Sequence, residues 1–410
     1  MHRRRRPRRP DGGTRGGAAR LVGRRAGGGP GGLERLRRNC GFVMPGFAAA
    51  IERIVERVGL DHAKALWKLS EQGVAYVREA IRETGMPGVV TVDGCLDVST
   101  TDDSDEFLDV LALLGQEFEV DVEGWTVERV RAVLKTEHYF HALHYPGAFH
   151  LHPLYYAHGL AASAEQHGAR IFEETPVLEI DPAGVRKRVA TPAARVRAAH
   201  VVLAGNTLFG GLVPRLAETV LPVTSYVAVT APLGERLAQA VAWPGGVSEG
   251  RFVHQRCRIV DGDRLMWAGG ASLWPNQPGK VARRFARDLV RRYPQLGEVE
   301  IAHVWSGVTG TAVHRMPQVG EMSPGIWIAG AFAGHGLNTT AMAGDLIARA
   351  IIEGDDRWRL FIPYELVWAG GTAGRTLTQV SYWSRRLRDA VAASAARRRE
   401  VLRRKETTEG

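Results

Sequence analysis

Cysteine is scarce in this chain: Cys40, Cys95 and Cys257 are the only three in 410 residues. They are isolated, odd in number and never in CxxC spacing, which excludes a disulfide framework and a structural zinc site. No apolar run reaches the roughly 20 residues that span a bilayer, and no charged-then-apolar leader opens the chain. A protein of a reducing compartment, soluble and cytoplasmic, with no membrane span, is the expectation. Acidic residues are nearly missing from the first 38 positions, where thirteen arginines face only Asp11 and Glu34. That segment carries +11 of a net +10, so the rest of the chain sums to −1. The body is therefore not basic.

The arm itself lacks both a periodic apolar face and aromatics. Arg, Gly and Pro cannot offset ordering entropy by burial, so residues 1–37 are expected to be disordered. Without aromatics for base stacking, no nucleic-acid partner is expected, despite the charge. Gly27, Gly29 and Gly32 satisfy GxGxxG only formally. No apolar strand precedes them, Pro30 lies inside, and no amphipathic helix follows.

With 45% apolar residues the body can bury a large core. Its most informative stretch runs from Gly325 to Gly354. Ile326–Ala329 is a short apolar run bounded by glycines and reads as a buried strand. Met342, Leu346, Ile347, Ala350 and Ile351 then recur at helical spacing up to a Gly354 stop. Between them Gly330, Ala331, Ala333, Gly334 and Gly336 leave main-chain N–H groups uncovered, and a helix starting near Asn338 to Thr340 aims its positive end at the same spot. Such a loop suits negative charge developing on a flat ligand, as on the N1–C2=O edge of a reduced flavin. A glycine-rich turn serving only chain geometry is the alternative.

The string HRMPQVGEMSPGIWIAGAFAGHGLNTTAMAGDLIARAI resembles the C-terminal flavin-binding segment of the FAD-dependent amino-acid and amine oxidase (D-amino-acid oxidase-like) superfamily, and is most similar to its gamma-glutamylputrescine oxidoreductase branch. The resemblance spans about Arg38 to Trp383. It implies an α/β fold in which a Rossmann-like FAD-binding domain (38–85, 151–215, 306–383) is interleaved with an α+β substrate domain built on an antiparallel sheet (86–150, 216–305), followed by a basic tail (384–410). It also implies an earlier strand, glycine fingerprint and helix, whereas here the match begins at Arg38-Asn39-Cys40-Gly41-Phe42. An N-terminally incomplete FAD domain is thus expected, from a truncated or mis-framed reading of GC-rich DNA. A natural non-catalytic remnant with impaired FAD binding is the alternative.

By the same resemblance the cofactor-binding residues are Arg38, Asn39, Gly41, Val177, Ala204, Gly205, Gly330, Gly334, Gly336, Leu337, Asn338 and Thr339. His335 is the candidate catalytic side chain, with a turn-stabilising histidine as the other reading. The GAFHLHP string resembles an interdomain loop and would bring His150 and His152 toward the substrate. No counterpart of a flavin-tethering cysteine lies in 311–320, so the FAD is expected to be noncovalent.

Amino-acid-oxidising relatives hold the substrate carboxylate with an Arg in a G-x-R-P string or a Lys after G-H-G-x. This chain has Gly307-Val308-Thr309-Gly310 and Asn338 there. Their absence favours an amine such as an acylated diamine over a free α-amino acid, with Arg256, Arg258 and Arg315 left as cations that could act from another direction. The expected chemistry is oxidation of a C–N bond by hydride transfer to flavin N5, with oxygen or another electron acceptor closing the cycle. An amino-acid oxidase of the same superfamily is a further alternative, and a nicotinamide-dependent dehydrogenase a weaker one. Trp305 and Tyr226 are candidate cavity walls.

The remaining spacing predicts paired helices over 47–83, a strand–turn–strand over 89–98 with its turn at Asp93-Gly94, helices over 107–118 and 126–134, a hairpin around Asp261-Gly262-Asp263, and a charged, solvated helix over 385–410. His138, His141, His144, His150, His152 and His158 form a cluster. Their spacing does not match a metal site, so loop or cavity-lining histidines are expected.

Overall fold

The computed structural model describes residues 19–21, 39–249, 255–274 and 276–409. Its strands are, in chain order, β1 (Ala19–Leu21), β2 (Phe42–Val43), β3 (Val92–Val98), β4 (Glu123–Trp125), β5 (Ala142–His150), β6 (Arg170–Phe172), β7 (Glu179–Asp181), β8 (Lys187–Ala190) and β9 (Arg195–Ala198). There follow β10 (Val201–Leu203), β11 (Leu221–Thr230), β12 (Gly246–Glu249), β13 (Gln255–Val260), β14 (Arg264–Ser272), β15 (Ile301–Thr311), β16 (Gln318–Ser323) and β17 (Ile326–Gly330).

Nine of these strands make one large sheet in the order β15-β11-β14-β13-β12-β3-β5-β2, with β4 also on β5. It is antiparallel except where β12 runs parallel to β3. Strand alternation gives the sheet two apolar faces. On one, Leu96, Tyr226, Val247, Cys257 and Trp267 meet apolar residues of the helices Val127–Leu134, Glu235–Ala240 and Pro278–Arg292. On the other, Val227, Val229, Met266 and Ala268 pack with Trp305 and Cys40, facing the smaller layer. That layer holds the three-stranded sheet β10-β17-β16, in which β10 and β17 are parallel, and the meander β7-β8-β9.

The paired helices are Ile51–Val58 and Leu60–Thr84. The second lies against the helix Gly336–Glu353 so closely that a Cβ on Gly73 would stand 2.2 Å from the Asn338 carbonyl oxygen. Glycine is required at that crossing because any side chain would separate the helices.

Several sequence expectations are revised. The segment 89–98 is a single strand: Gly94, at φ 83°, makes a bulge opposite β5 rather than a turn between two strands. Gly147 to His150 of the supposed loop belongs to β5. The C-terminal helix starts at Gly371 and is not merely solvated, since Gln379, Ala393 and Ala396 are buried against the body. Glu400 pairs with Arg131 and Arg403 with Asp102. Of the arm 1–37 only β1 is described, and it pairs in parallel with β6. The expected disorder there, the formal glycine pattern at 27–32 and Arg38 otherwise fall outside the described residues.

Candidate functional site

The stretch 325–354 folds as strand β17, a tight loop and an 18-residue helix. Ala331 and Ala333 take left-handed φ of 55° and 49°, which small residues tolerate best. His335, at the N-cap, makes no side-chain capping hydrogen bond to the first turn of the helix. Thr339 ties down the loop through its hydroxyl to the His335 carbonyl, and Asn338 is buried with its amide donating to the Gly46 carbonyl at 3.2 Å. A Cβ on Gly330 would meet nothing within 4 Å, and one on Gly334 or Gly336 would reach only Arg256 Nη2 at 4.0 Å or Asn39 Nδ2 at 3.8 Å. Open space therefore lies in front of these glycines, walled by Asn39 and Arg256.

Two segments bring those walls. Asn39 Oδ1 accepts from the Gly41 N–H at 2.8 Å, and the Gly41 carbonyl accepts from Leu151 N–H at 2.9 Å. Gly41, at φ 88°, lies so near Leu151 that a Cβ would come 2.1 Å from its carbonyl oxygen. From β13, Arg256 Nη1 donates to the Gly334 carbonyl at 2.7 Å, and Arg258 Nε to the Cys40 carbonyl at 2.9 Å. His150 Nε2 donates to the Pro244 carbonyl at 3.2 Å, leaving Nδ1 to accept from Arg258 Nη1 at 3.4 Å. Burial, and next the Arg258 charge, push the imidazole down to about 4, so it is neutral at pH 7.

The turn at Ala204 and Gly205 reaches the loop indirectly. Asn206 bonds Val308 and Gly310 of β15, and the Gly310 carbonyl accepts from Ala333 N–H at 3.1 Å. Val177 lies half-buried between β6 and β7, beside the Leu178 N–H that donates to Ala190 of the meander. Leu337 is buried against Val74, Val77 and Phe149. His152 caps the helix Pro153–Gln166 and stacks on Tyr155. Trp305 lies on the loop-facing side of the large sheet, whereas Tyr226 lies on the opposite face and accepts from Asn276 N–H, so it is not a wall of this cleft.

The histidine cluster disperses. His138 faces Glu249 at 3.9 Å, His141 stacks on Phe107 and faces Asp102 at 3.8 Å, and His144 faces Glu123 at 3.2 Å. Among the described residues no three His, Cys, Asp or Glu side chains converge on a metal position.

The sequence reading did not single out Asp97. It lies on the loop-facing side of β3, its carboxyl pushed up to about 6 by burial against the opposing pull of Arg256 and Ser248. Its signal was a charge at an inward position of the alternating strand VDGCLDV.

A profile of the family described as FAD dependent oxidoreductase matches residues 24–350. The chain belongs to that family. The match starts upstream of the Arg38 to Phe42 string. Among curated relatives of this FAD-dependent oxidoreductase, the gamma-glutamylputrescine oxidoreductase of Escherichia coli is 29% identical over 330 residues, covering 78% of this chain and 75% of that one. The probable oxidoreductase OrdL of Haemophilus influenzae is 27% identical over 335 residues, covering 79% and 76%. Among solved structures, L-proline dehydrogenase from P. horikoshii superposes with a TM-score of 0.63 at 17% identity, covering 73% of this chain and 83% of that one. Glycine oxidase from Bacillus cereus gives 0.62 at 19% identity, covering 80% and 87%. These structural likenesses establish the fold, and it is the expected mixed α/β arrangement.

The residues around the loop fit the ring end of the family's FAD. The open front of Gly330, Gly334 and Gly336 has room for a flat group, and the N–H donors of the helix start would favour negative charge on it. Among the described residues no strand, glycine turn and helix that would take the pyrophosphate precedes β2.

Proposed function

We propose that this FAD-dependent oxidoreductase oxidises the C–N bond of an amine whose far end is acylated, of the gamma-glutamylputrescine type, to an imine that water hydrolyses to an aldehyde. In this reading the smaller layer is the cofactor domain and the large sheet the substrate domain. Asn39, Gly41, Gly330, Gly334, Gly336, Leu337, Asn338 and Thr339 hold the flavin end noncovalently, while Val177, Ala204 and Gly205 serve the dinucleotide end. Bound FAD supplies the hydride acceptor for the C–H next to nitrogen. The chain's own residues position the amine and shield it from water, and the helix start stabilises negative charge in front of the glycines.

The observation that carries the reading is Asn338. It stands where amino-acid-oxidising relatives place a carboxylate-binding lysine, and it is 1% exposed with its amide committed to Gly46. It offers no cation to a carboxylate. A specific observation favours amino-acid oxidation as the second reading: Arg256 Nε is buried beside the loop with no hydrogen-bond partner among the described residues, and a substrate carboxylate would satisfy it. His335, in the loop itself, is the candidate proton-handling group.

The test is the visible spectrum of the purified chain after incubation with FAD and gel filtration, followed by anaerobic addition of substrates. Bleaching by N-acylated diamines and not by α-amino acids supports the first reading. The reverse preference supports the second. A chain that retains no flavin sinks both and leaves the non-catalytic remnant.

A further inference from the structure

The loop-facing side of the large sheet carries a polar row that runs from Arg256, at the glycine loop, to two residues with no part in the reading above, Ser248 and Asp97. In register, Ser248 of β12 is opposite Asp97 of β3 on one side and Arg256 of β13 on the other. Residues directly opposite across strands share a face, so Asp97, Ser248 and Arg256 point to the same side. The Arg256 end touches the Gly334 carbonyl at 2.7 Å, which fixes that side as the one the glycine loop closes. Two strand spacings, about 10 Å, separate the backbones at the two ends of the row.

Asp97 differs from the other deep acids of the protein. Glu249 is bound by Arg292 and Tyr139 on the opposite face. Asp97 makes no ion pair among the described residues: Ser248 contributes a hydroxyl, Arg256 acts on it only through space, and its neighbour on β5 is Leu143. Tyr145, the next inward residue of β5, is a buried phenol pushed upward mainly by burial. Asp97 nevertheless keeps part of its surface accessible. A carboxylate drawn out of water with no cation in direct contact and without a full set of donors is stabilised further by a ligand that brings positive charge.

We propose that Asp97 binds the second, non-reacting ammonium group of a substrate with two nitrogen ends, holding it two strands along the sheet from Arg256, which touches the glycine loop where the C–N bond is oxidised. This rests on the amine reading above and narrows it: the substrate is an aminoacyl diamine rather than a simple monoamine. Asp97 is then a specificity residue and takes no proton in the reaction.

Calorimetric titration of the full chain in excess FAD tests this with two probes. β-Alanyl-1,4-diaminobutane carries the second ammonium and no carboxylate, and N-acetyl-1,4-diaminobutane lacks that ammonium. The wild-type chain should bind the first at least tenfold more tightly. In Asp97→Asn the preference should fall below twofold with affinity for the acetyl probe unchanged, and Asp97→Glu should keep most of it. An unchanged thermal midpoint and flavin content in Asp97→Asn separates a lost contact from lost folding. Equal binding of both probes by the wild-type chain, retention of the preference by Asp97→Asn, or no binding of either probe would each overturn the proposal. Bleaching of the flavin by the acetyl probe without any preference would sink this inference alone, whereas preferential binding without bleaching would sink only the oxidase reading.

Discussion

Asn206 grips β15 with both ends of its amide: Nδ2 donates to the Val308 carbonyl at 2.8 Å and Oδ1 accepts from the Gly310 N–H at 2.7 Å. Through the Gly310 carbonyl this clamp continues to Ala333, so an unbroken run of hydrogen bonds joins the 204–206 turn to the glycine loop. Asn206→Ala should cost about 1–2 kcal/mol, from two partly exposed hydrogen bonds and a left-handed φ of 57° that alanine resists. Asn206→Gly keeps the backbone and loses only the bonds. Urea unfolding of the pair apportions the two effects, and both variants should release FAD more readily than wild type.

Gly73→Ala should destabilise the fold by about 1–3 kcal/mol, the usual cost of forcing extra volume into a packed contact. The added Cβ would fall 2.2 Å from the Asn338 carbonyl oxygen, in the first turn of the helix behind the glycine loop. The thermal midpoint and the flavin content after gel filtration should fall together. A lower midpoint with full flavin content would mean that the loop is held independently of this crossing.

Glu249 and Arg292 form a buried pair, with Arg292 Nε 2.8 Å from Oε2 and the Tyr139 hydroxyl donating to the same oxygen at 2.8 Å. Glu249→Ala leaves a buried guanidinium unmatched and should cost about 3–5 kcal/mol by denaturant titration. Replacing both residues with apolar ones of similar volume should be far milder. Burial alone would raise the Glu249 carboxyl, but the Arg292 charge and hydrogen bonds outweigh it and hold the group below its ordinary 4.5. Its stabilisation is therefore complete above pH 4.5 and is lost as pH falls further. Glu249→Gln should flatten that acid limb.

His150 acts at a milder pH. Its folded-state value of about 4 lies below the ordinary 6.5, so an unfolded chain takes up a proton that the folded chain refuses between those limits. Stability should fall as pH drops from 6.5 toward 4, by up to about 3 kcal/mol from this residue. In His150→Gln the decline over that window should shrink, as read from unfolding midpoints at a series of pH values. An identical decline would assign it to other groups.

Where local chemistry dominates, the sequence was legible. Glycines bound β17, helical spacing marks the helix after it, and Asp261-Gly262-Asp263 turns β13 into β14. Legibility failed where neighbours decide. β12 is four residues of mixed polarity, and it becomes a strand only because β3 and β13 pair with it on both sides. Asp93-Gly94 carries a turn signature, yet Gly94 bends a single strand. Tyr226 was assigned to the cleft, but faces invert with each residue along a strand and its register with Gly269 turns it away. In the C-terminal helix, the many arginines obscure Ala393 and Ala396, the small residues through which it docks.

The parallel pairing of β12 with β3 in the large sheet also dictates an order of events during synthesis. Until residues 246–249 have left the ribosome, β3 pairs with β5 on one side only and offers an open row of amides on the other. More than half the chain is therefore made before that edge is covered. A nascent fragment ending short of Gly246 would present the Cys95–Val98 backbone to any extended segment nearby, and its solubility would depend on chaperones rather than on its own fold.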